Sequence, residues 1–170
     1  MSIAARIDHT LLKPTASAEE IRLLCEEAVE YGFAAVCIPP PFVQSVAGLL
    51  NNSKVKIATV IGFPFGYSTA KAKLAETLQA IENGADELDT VINLIALKNN
   101  DWDSLEAEID LLIPVIHQQG RIIKVIIESG ALTDEEIIRC CEIYAKAGVD
   151  FLKTSTGYAP KGACVEHVQL

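Results

Sequence analysis

Apolar and polar positions alternate along this chain in two rhythms. Short, mostly β-branched apolar runs give way to turns rich in Gly, Pro, Ser and Thr, and then to stretches where apolar residues return every three or four positions. The first rhythm is that of a buried strand and the second that of a helix with one covered face. RIDHTLL (6–12) opens the series. A helix follows, with Ser17 as its cap, Ile21, Leu24, Cys25, Ala28 and Val29 on one face and Gly32 at its end. FAAVCIPP (33–40), a helix around 41–50 and the strand KIATVIGFP (56–64) come next. TAKAKLAETLQAIENG predicts a long helix ending at Gly84, and ELDTVINL (87–94) a fourth strand. SLEAEIDLLIPVIHQQG (104–120) is its helix, which Pro114 is expected to kink or shorten. RIIKVIIE (121–128) and VDFLKTS (149–155) are the fifth and sixth strands. Between them TDEEIIRCCEIYAKAG (133–148) carries Thr133 and Glu136 at capping-box spacing.

Strands that alternate with helices pair in parallel through right-handed crossovers, which leaves an open doubly wound sheet or a closed (β/α)8 TIM barrel. Polar residues inside the apolar strands separate the two: Asp8 and Thr10, Asp89, Lys124 and Glu128, Lys153 and Ser155. Side chains two apart share a face, so each strand sends its polar group to one side. Such charges are hard to place between helices on both faces of an open sheet, whereas in a barrel they converge at the mouth. The expected fold class is therefore α/β, a (β/α)8 barrel with about six of its eight strand-helix units, residues 1–170 forming a single incomplete barrel domain. A complete barrel takes about 250 residues, and this chain stops at CVEHVQL, inside what would be the sixth helix. It is expected to be a fragment, or to have its gap filled by a neighbouring chain, unless the sheet is open after all.

Composition narrows the partners. Half of the 170 residues are apolar, enough for one soluble domain. A formal net charge of -9 and the lack of any long basic run argue against nucleic acid or an anionic membrane. The N-terminus lacks the apolar core of a signal peptide, and no stretch approaches the roughly 20 apolar residues of a membrane span, so a cytoplasmic protein is expected. Five cysteines without paired metal spacing read as reduced thiols, and His9, His117 and His167 form no local metal motif. No metal and no cofactor is expected.

The chemistry gathers around FLKTSTG (151–157). A lysine at the C-terminal end of a barrel strand stands where such folds place catalytic groups. Desolvated, or beside another cation, Lys153 can be a neutral amine that adds to a carbonyl and forms an imine. The plainer reading is a structural ion pair with Asp89, Asp150 or Glu128, and on periodicity alone that reading ranks first. Asp89 is either the acid-base partner of the imine or the charge that fixes a buried lysine. Lys124 is that lysine or a second positive field beside Lys153. Thr156, Gly157 and YAPKG form a small-residue turn that can offer N–H groups to a phosphate, with Lys161 as an aid, although every strand-to-helix connection here has such a turn.

Taken together, DHTLLKP (8–14), AVCIPP (35–40), TVIGFPFG (59–66), ELDTVIN (87–93), KVIIESGAL (124–132) and FLKTSTG (151–157) resemble, in order and spacing, the deoxyribose-phosphate aldolase family. The resemblance spans essentially the whole chain. It implies a class I, metal-free aldolase on a (β/α)8 barrel that reversibly cleaves 2-deoxy-D-ribose 5-phosphate to acetaldehyde and D-glyceraldehyde 3-phosphate. It makes Lys153 the Schiff-base nucleophile and Asp89 the proton donor or acceptor. Asp8, Thr10, Cys37, Lys124, Ser155, Thr156 and Gly157 become substrate-binding or supporting residues. The implied partners are a small sugar phosphate and aldehydes, together with a homodimer or association through open barrel edges. The family's second essential lysine lies on a seventh strand, which these residues do not include, nor do they include the phosphate loops after strands seven and eight. Without that cation Lys153 should be more basic, so the 170-residue chain alone is expected to be weakly active or inactive. Other Schiff-base barrels, transaldolase-like or fructose-bisphosphate-type, account for neither DHTLLKP nor KTSTG. A reading of a different kind is a non-catalytic sugar-phosphate-binding or scaffold fragment of a barrel.

Overall fold

The computed structural model describes residues 2–170. Six strands form one sheet: β1 Asp8–Thr10, β2 Ala35–Ile38, β3 Lys56–Ile61, β4 Glu87–Val91, β5 Ile122–Ile126 and β6 Phe151–Lys153. Their order in the sheet is their order in the chain, β1-β2-β3-β4-β5-β6. A doubly wound sheet reverses its strand order at a switch point, whereas the wall of a (β/α)8 barrel does not. The topology is thus that of six consecutive strands of such a wall. The intervening helices are α1 Ala18–Tyr31, α2 Val43–Leu49, α3 Ala70–Glu82, α4 Leu94–Lys98, α5 Trp102–Gln118, α6 Asp134–Ala147 and α7 Val165–Gln169. Among the described residues no helix is long and apolar enough to cross a membrane.

The chain divides into two compact units. The first takes in residues up to Val60 together with Gln79–Leu88. Its strands pair in parallel, Thr10 opposite Cys37 and Cys37 opposite Ala58. β2 is buried at every position, as expected of a strand covered on both faces. α1 starts at a capping box, with Ser17 accepting from the Glu20 N–H and Glu20 reaching back to the Ser17 N–H, and it ends at Gly32 in the left-handed region. Ile21, Leu24, Cys25 and Ala28 line its buried face, as their spacing requires. Val29, placed on that face by spacing alone, is 51% exposed and lies at its margin.

The second unit comprises Ile61–Leu78 and Asp89–Leu170. α6 repeats the same devices, a Thr133/Glu136 capping box and Gly148 in the left-handed region at its end. Two features depart from the sequence pattern. α4, too short to show a period, is started by the Asn93 carboxamide, which accepts from the Ala96 N–H. α5 runs unbroken through Pro114. Pro114 and Asp110, whose carbonyl loses its helical donor, both lie on the exposed face, where solvent can replace the missing bond.

Candidate active site

The site is assembled on the ends of three strands of the second unit. β6 is only three residues long, and its register is set by β5: Lys124 lies opposite Phe151 and Ile126 opposite Lys153. The ladder continues past both strands. The Ile127 N–H donates to the Lys153 carbonyl at 3.0 Å, and the Ser129 N–H to the Thr154 carbonyl at 2.7 Å. The backbone that carries Lys153 is therefore held through its whole C-terminal end.

Lys153 Nζ donates to Asp89 Oδ2 at 2.5 Å, and Lys124 Nζ lies 3.6 Å from Asp89 Oδ1. The Asp89 side chain is fully buried, that of Lys124 nearly so, and that of Lys153 is 29% exposed. One carboxylate thus faces two amines, of which only Lys153 keeps appreciable access to solvent. Of the three acids that the sequence allows as partners for Lys153, the geometry selects Asp89. Asp150 instead accepts from the Ile123 N–H at 2.9 Å and pairs with the His117 ring at 3.0 Å.

Glu128 has a different task. Its backbone is left-handed, φ 52 and ψ 55, a conformation that costs a non-glycine residue about 1–3 kcal/mol. Its buried carboxylate accepts the Thr156 N–H at 3.2–3.3 Å and also the Thr156 hydroxyl. Thr156 Oγ1 in turn accepts from the Tyr158 N–H at 3.0 Å. The Thr156 amide, one of those that the turn might have offered to a phosphate, is thus taken up by Glu128, while Gly157 supplies the left-handed residue of the turn at φ +84. Glu128→Ala keeps the strained backbone and removes its compensating bonds. Urea unfolding should show a loss of about 2 kcal/mol, with faster hydrogen exchange at the Thr156 amide. The Ser155 hydroxyl is buried without a hydrogen-bond partner among the described residues.

Asp8, Thr10 and Cys37 belong to the first unit. Thr10 is exposed, and its hydroxyl donates to the Asp8 carbonyl at 2.9 Å; Cys37 is 1% exposed. The structure therefore brings Lys153, Asp89 and Lys124 together, joins Thr156 to Glu128, and sets Asp8, Thr10 and Cys37 on their own pair of strands. Sequence reasoning missed one group altogether. Lys73 of α3 is fully buried and pairs with Glu108 of α5 at 2.7 Å. Burial pulls the Lys73 ammonium below its ordinary value despite that partner, and burial pushes the Glu108 carboxyl up. The available signal was spacing, since Lys73, Thr77 and Ala80 fall on one buried stripe of α3.

Comparison with known proteins identifies the family. Residues 2–169 match the model of a family described as DeoC/LacD family aldolase. A curated relative, the deoxyribose-phosphate aldolase of Caldanaerobacter subterraneus subsp. tengcongensis, is 49% identical over 171 residues, covering all of this chain and 74% of the relative. Among solved structures, one described as QR15, an aldolase, superposes with a TM-score of 0.93 at 37% identity, covering 99% of this chain and 75% of that one. A deoxyribose phosphate aldolase from Aeropyrum pernix, described as having a unique tetrameric structure, superposes at 0.86 with 35% identity, over 94% of this chain and 66% of that one.

Proposed function

The chain belongs to the DeoC/LacD family of aldolases, and on that premise we propose that it carries the imine-forming half of an aldolase acting on 2-deoxy-D-ribose 5-phosphate. The observation that supports this most directly is the 2.5 Å contact between the accessible amine of Lys153 and the buried carboxylate of Asp89, with Lys124 at 3.6 Å on its other oxygen. In the resting pair Asp89 can accept the proton that Lys153 must lose, and the adjacent Lys124 charge disfavours a second ammonium at the same carboxylate.

In the synthetic direction the neutral Nζ adds to the carbonyl carbon of acetaldehyde, and loss of water from the carbinolamine leaves an iminium. Asp89, directly or through a water molecule, removes a proton from the adjacent methyl group, and the electron pair of that C–H bond forms the enamine. The enamine carbon then attacks the aldehyde carbon of glyceraldehyde 3-phosphate, whose oxygen takes up a proton. Hydrolysis of the new iminium returns the amine and releases the sugar phosphate. Cleavage is the same path reversed. The Ser155 hydroxyl is a candidate partner for a substrate oxygen, since a buried polar group without a bond is costly to keep. Glu128 supports the same strand end through Thr156.

For the six strand-helix units alone we propose weak turnover, because Lys124 is then the second cation on Asp89 in place of the seventh-strand lysine of the family. Self-association belongs to the same reading: the Aeropyrum relative is tetrameric by its description, and Phe151, Leu152, Val165 and Val168 expose apolar side chains here. The test is reductive trapping. Incubation with acetaldehyde and cyanoborohydride should add one ethyl group, located on Lys153 by peptide mass mapping. Binding of deoxyribose 5-phosphate with no adduct on Lys153 would instead establish the non-catalytic, sugar-phosphate-binding reading.

A further inference from the structure

We propose that Lys73 is a positioning residue for Asp89, gripping the end of the strand that presents the carboxylate. The inference rests on the aldolase reading above and extends it to a residue that touches no reactant. Lys73 Nζ donates to the Val91 carbonyl at 2.7 Å and to Glu108 Oε1 at 2.7 Å. Val91 is the last residue of β4 and lies two positions beyond Asp89, so the two side chains share a face of the strand. Lys73 thus fixes the C-terminal end of the strand segment from which the Asp89 carboxylate projects.

The surroundings of Lys73 are built to leave it one conformation. Its stem passes over Gly62, where an added Cβ would lie 2.7 Å from Lys73 Cε, and the Gly62 N–H donates to Glu76 Oε2 at 2.7 Å. Four residues on, the backbone at Gly66 packs so closely on β4 that an added Cβ would lie 1.7 Å from the Ile92 carbonyl oxygen. The Ile92 N–H is bonded to the Ile126 carbonyl at 3.1 Å. Successive residues at the end of β4, Val91 and Ile92, are thereby held, and at Val91 a side chain makes the contact.

Stability alone is a poor reason for this pair. A buried ion pair is commonly no more stabilising than well-packed apolar side chains of similar volume. What apolar residues cannot do is direct an N–H bond at one carbonyl. Proton transfer depends on heavy atoms held at hydrogen-bond distance, and small misplacements are expensive in rate.

The experiment separates positioning from folding by reading two steps at once. Trapping with cyanoborohydride reports imine formation on Lys153, while deuterium uptake into the methyl group of acetaldehyde in heavy water reports proton removal by Asp89. In the 170-residue chain, Lys73→Met combined with Glu108→Met removes both members of the buried pair together. Trapping should stay within about twofold of the unsubstituted chain while deuterium uptake falls about tenfold or more. Ile137→Ala, a core truncation on α6, serves as the control in which both signals fall together with the folded fraction. The same parallel loss in the double variant overturns the role of Lys73. Lys73→Met with Glu108→Gln carries the same expectations and replaces the doubly apolar variant if circular dichroism shows that it does not fold. An unsubstituted chain with neither signal overturns the proposal that these six strand-helix units form the imine by themselves, an outcome distinct from failure of the Lys73 role.

Discussion

Lys153→Arg should eliminate the trapped adduct while leaving the protein folded. Arginine keeps a positive charge at the end of β6 and can satisfy Asp89 with a directed hydrogen bond, so a purely structural ion pair would survive the change. Its guanidinium does not release a proton at any working pH and cannot add to a carbonyl. If Lys153 is the nucleophile, the rate of ethyl incorporation should drop by at least about 10³-fold. Thermal unfolding should move little. Full-rate labelling at another lysine in this variant would transfer the role elsewhere, and Lys124, only 6% exposed, would be the first to check. Arginine is a better choice here than alanine, which would leave a buried carboxylate with one fewer partner and confuse stability with chemistry.

Asp89→Asn should separate the two steps. The amide preserves shape but can neither accept a proton from the methyl group nor balance the two amines that stand 2.5 and 3.6 Å from its oxygens. Deuterium uptake is expected to fall by about 10²–10⁴-fold, the usual weight of a positioned acid-base group. Imine formation should fall far less, because the Lys153 nucleophile is retained. The protein should also lose about 3–5 kcal/mol of stability, the cost of breaking a buried charge cluster on one side. Urea titration, trapping and isotope uptake read the three effects independently. Parallel loss of trapping and uptake would reduce Asp89 to a structural anchor.

The grouping of charges at the site was legible where it depended on a period of two. Lys153, Asp89 and Lys124 each stand as a charge inside an apolar strand, and parallel strands carry such residues to a common side. The choice of Asp89 over Asp150 and Glu128 was not legible, because it depends on which strand end each acid occupies. Asp150 precedes β6 and turns to the start of β5, where it meets the Ile123 N–H. The left-handed backbone of Glu128 leaves no trace in composition, yet it aims the carboxylate at Thr156. The Lys73 and Glu108 pair spans 35 positions of chain and two helices, beyond any local pattern. Pro114 shows the reverse error, in which a reliable local rule yields to its setting because the freed carbonyl faces water.

The agreement between strand order in the sheet and strand order in the chain has a consequence for biosynthesis. Each strand that leaves the ribosome meets its partner already made, so the sheet can lengthen at one edge without waiting for distant segments. Asp89 and Lys124 are translated before β6, and the carboxylate can take Lys124 as a counter-ion during that interval. Lys153 is the last of the three to emerge, so on the proposed roles a nascent chain stalled before Phe151 would carry the acid-base group but no nucleophile for a free aldehyde to block.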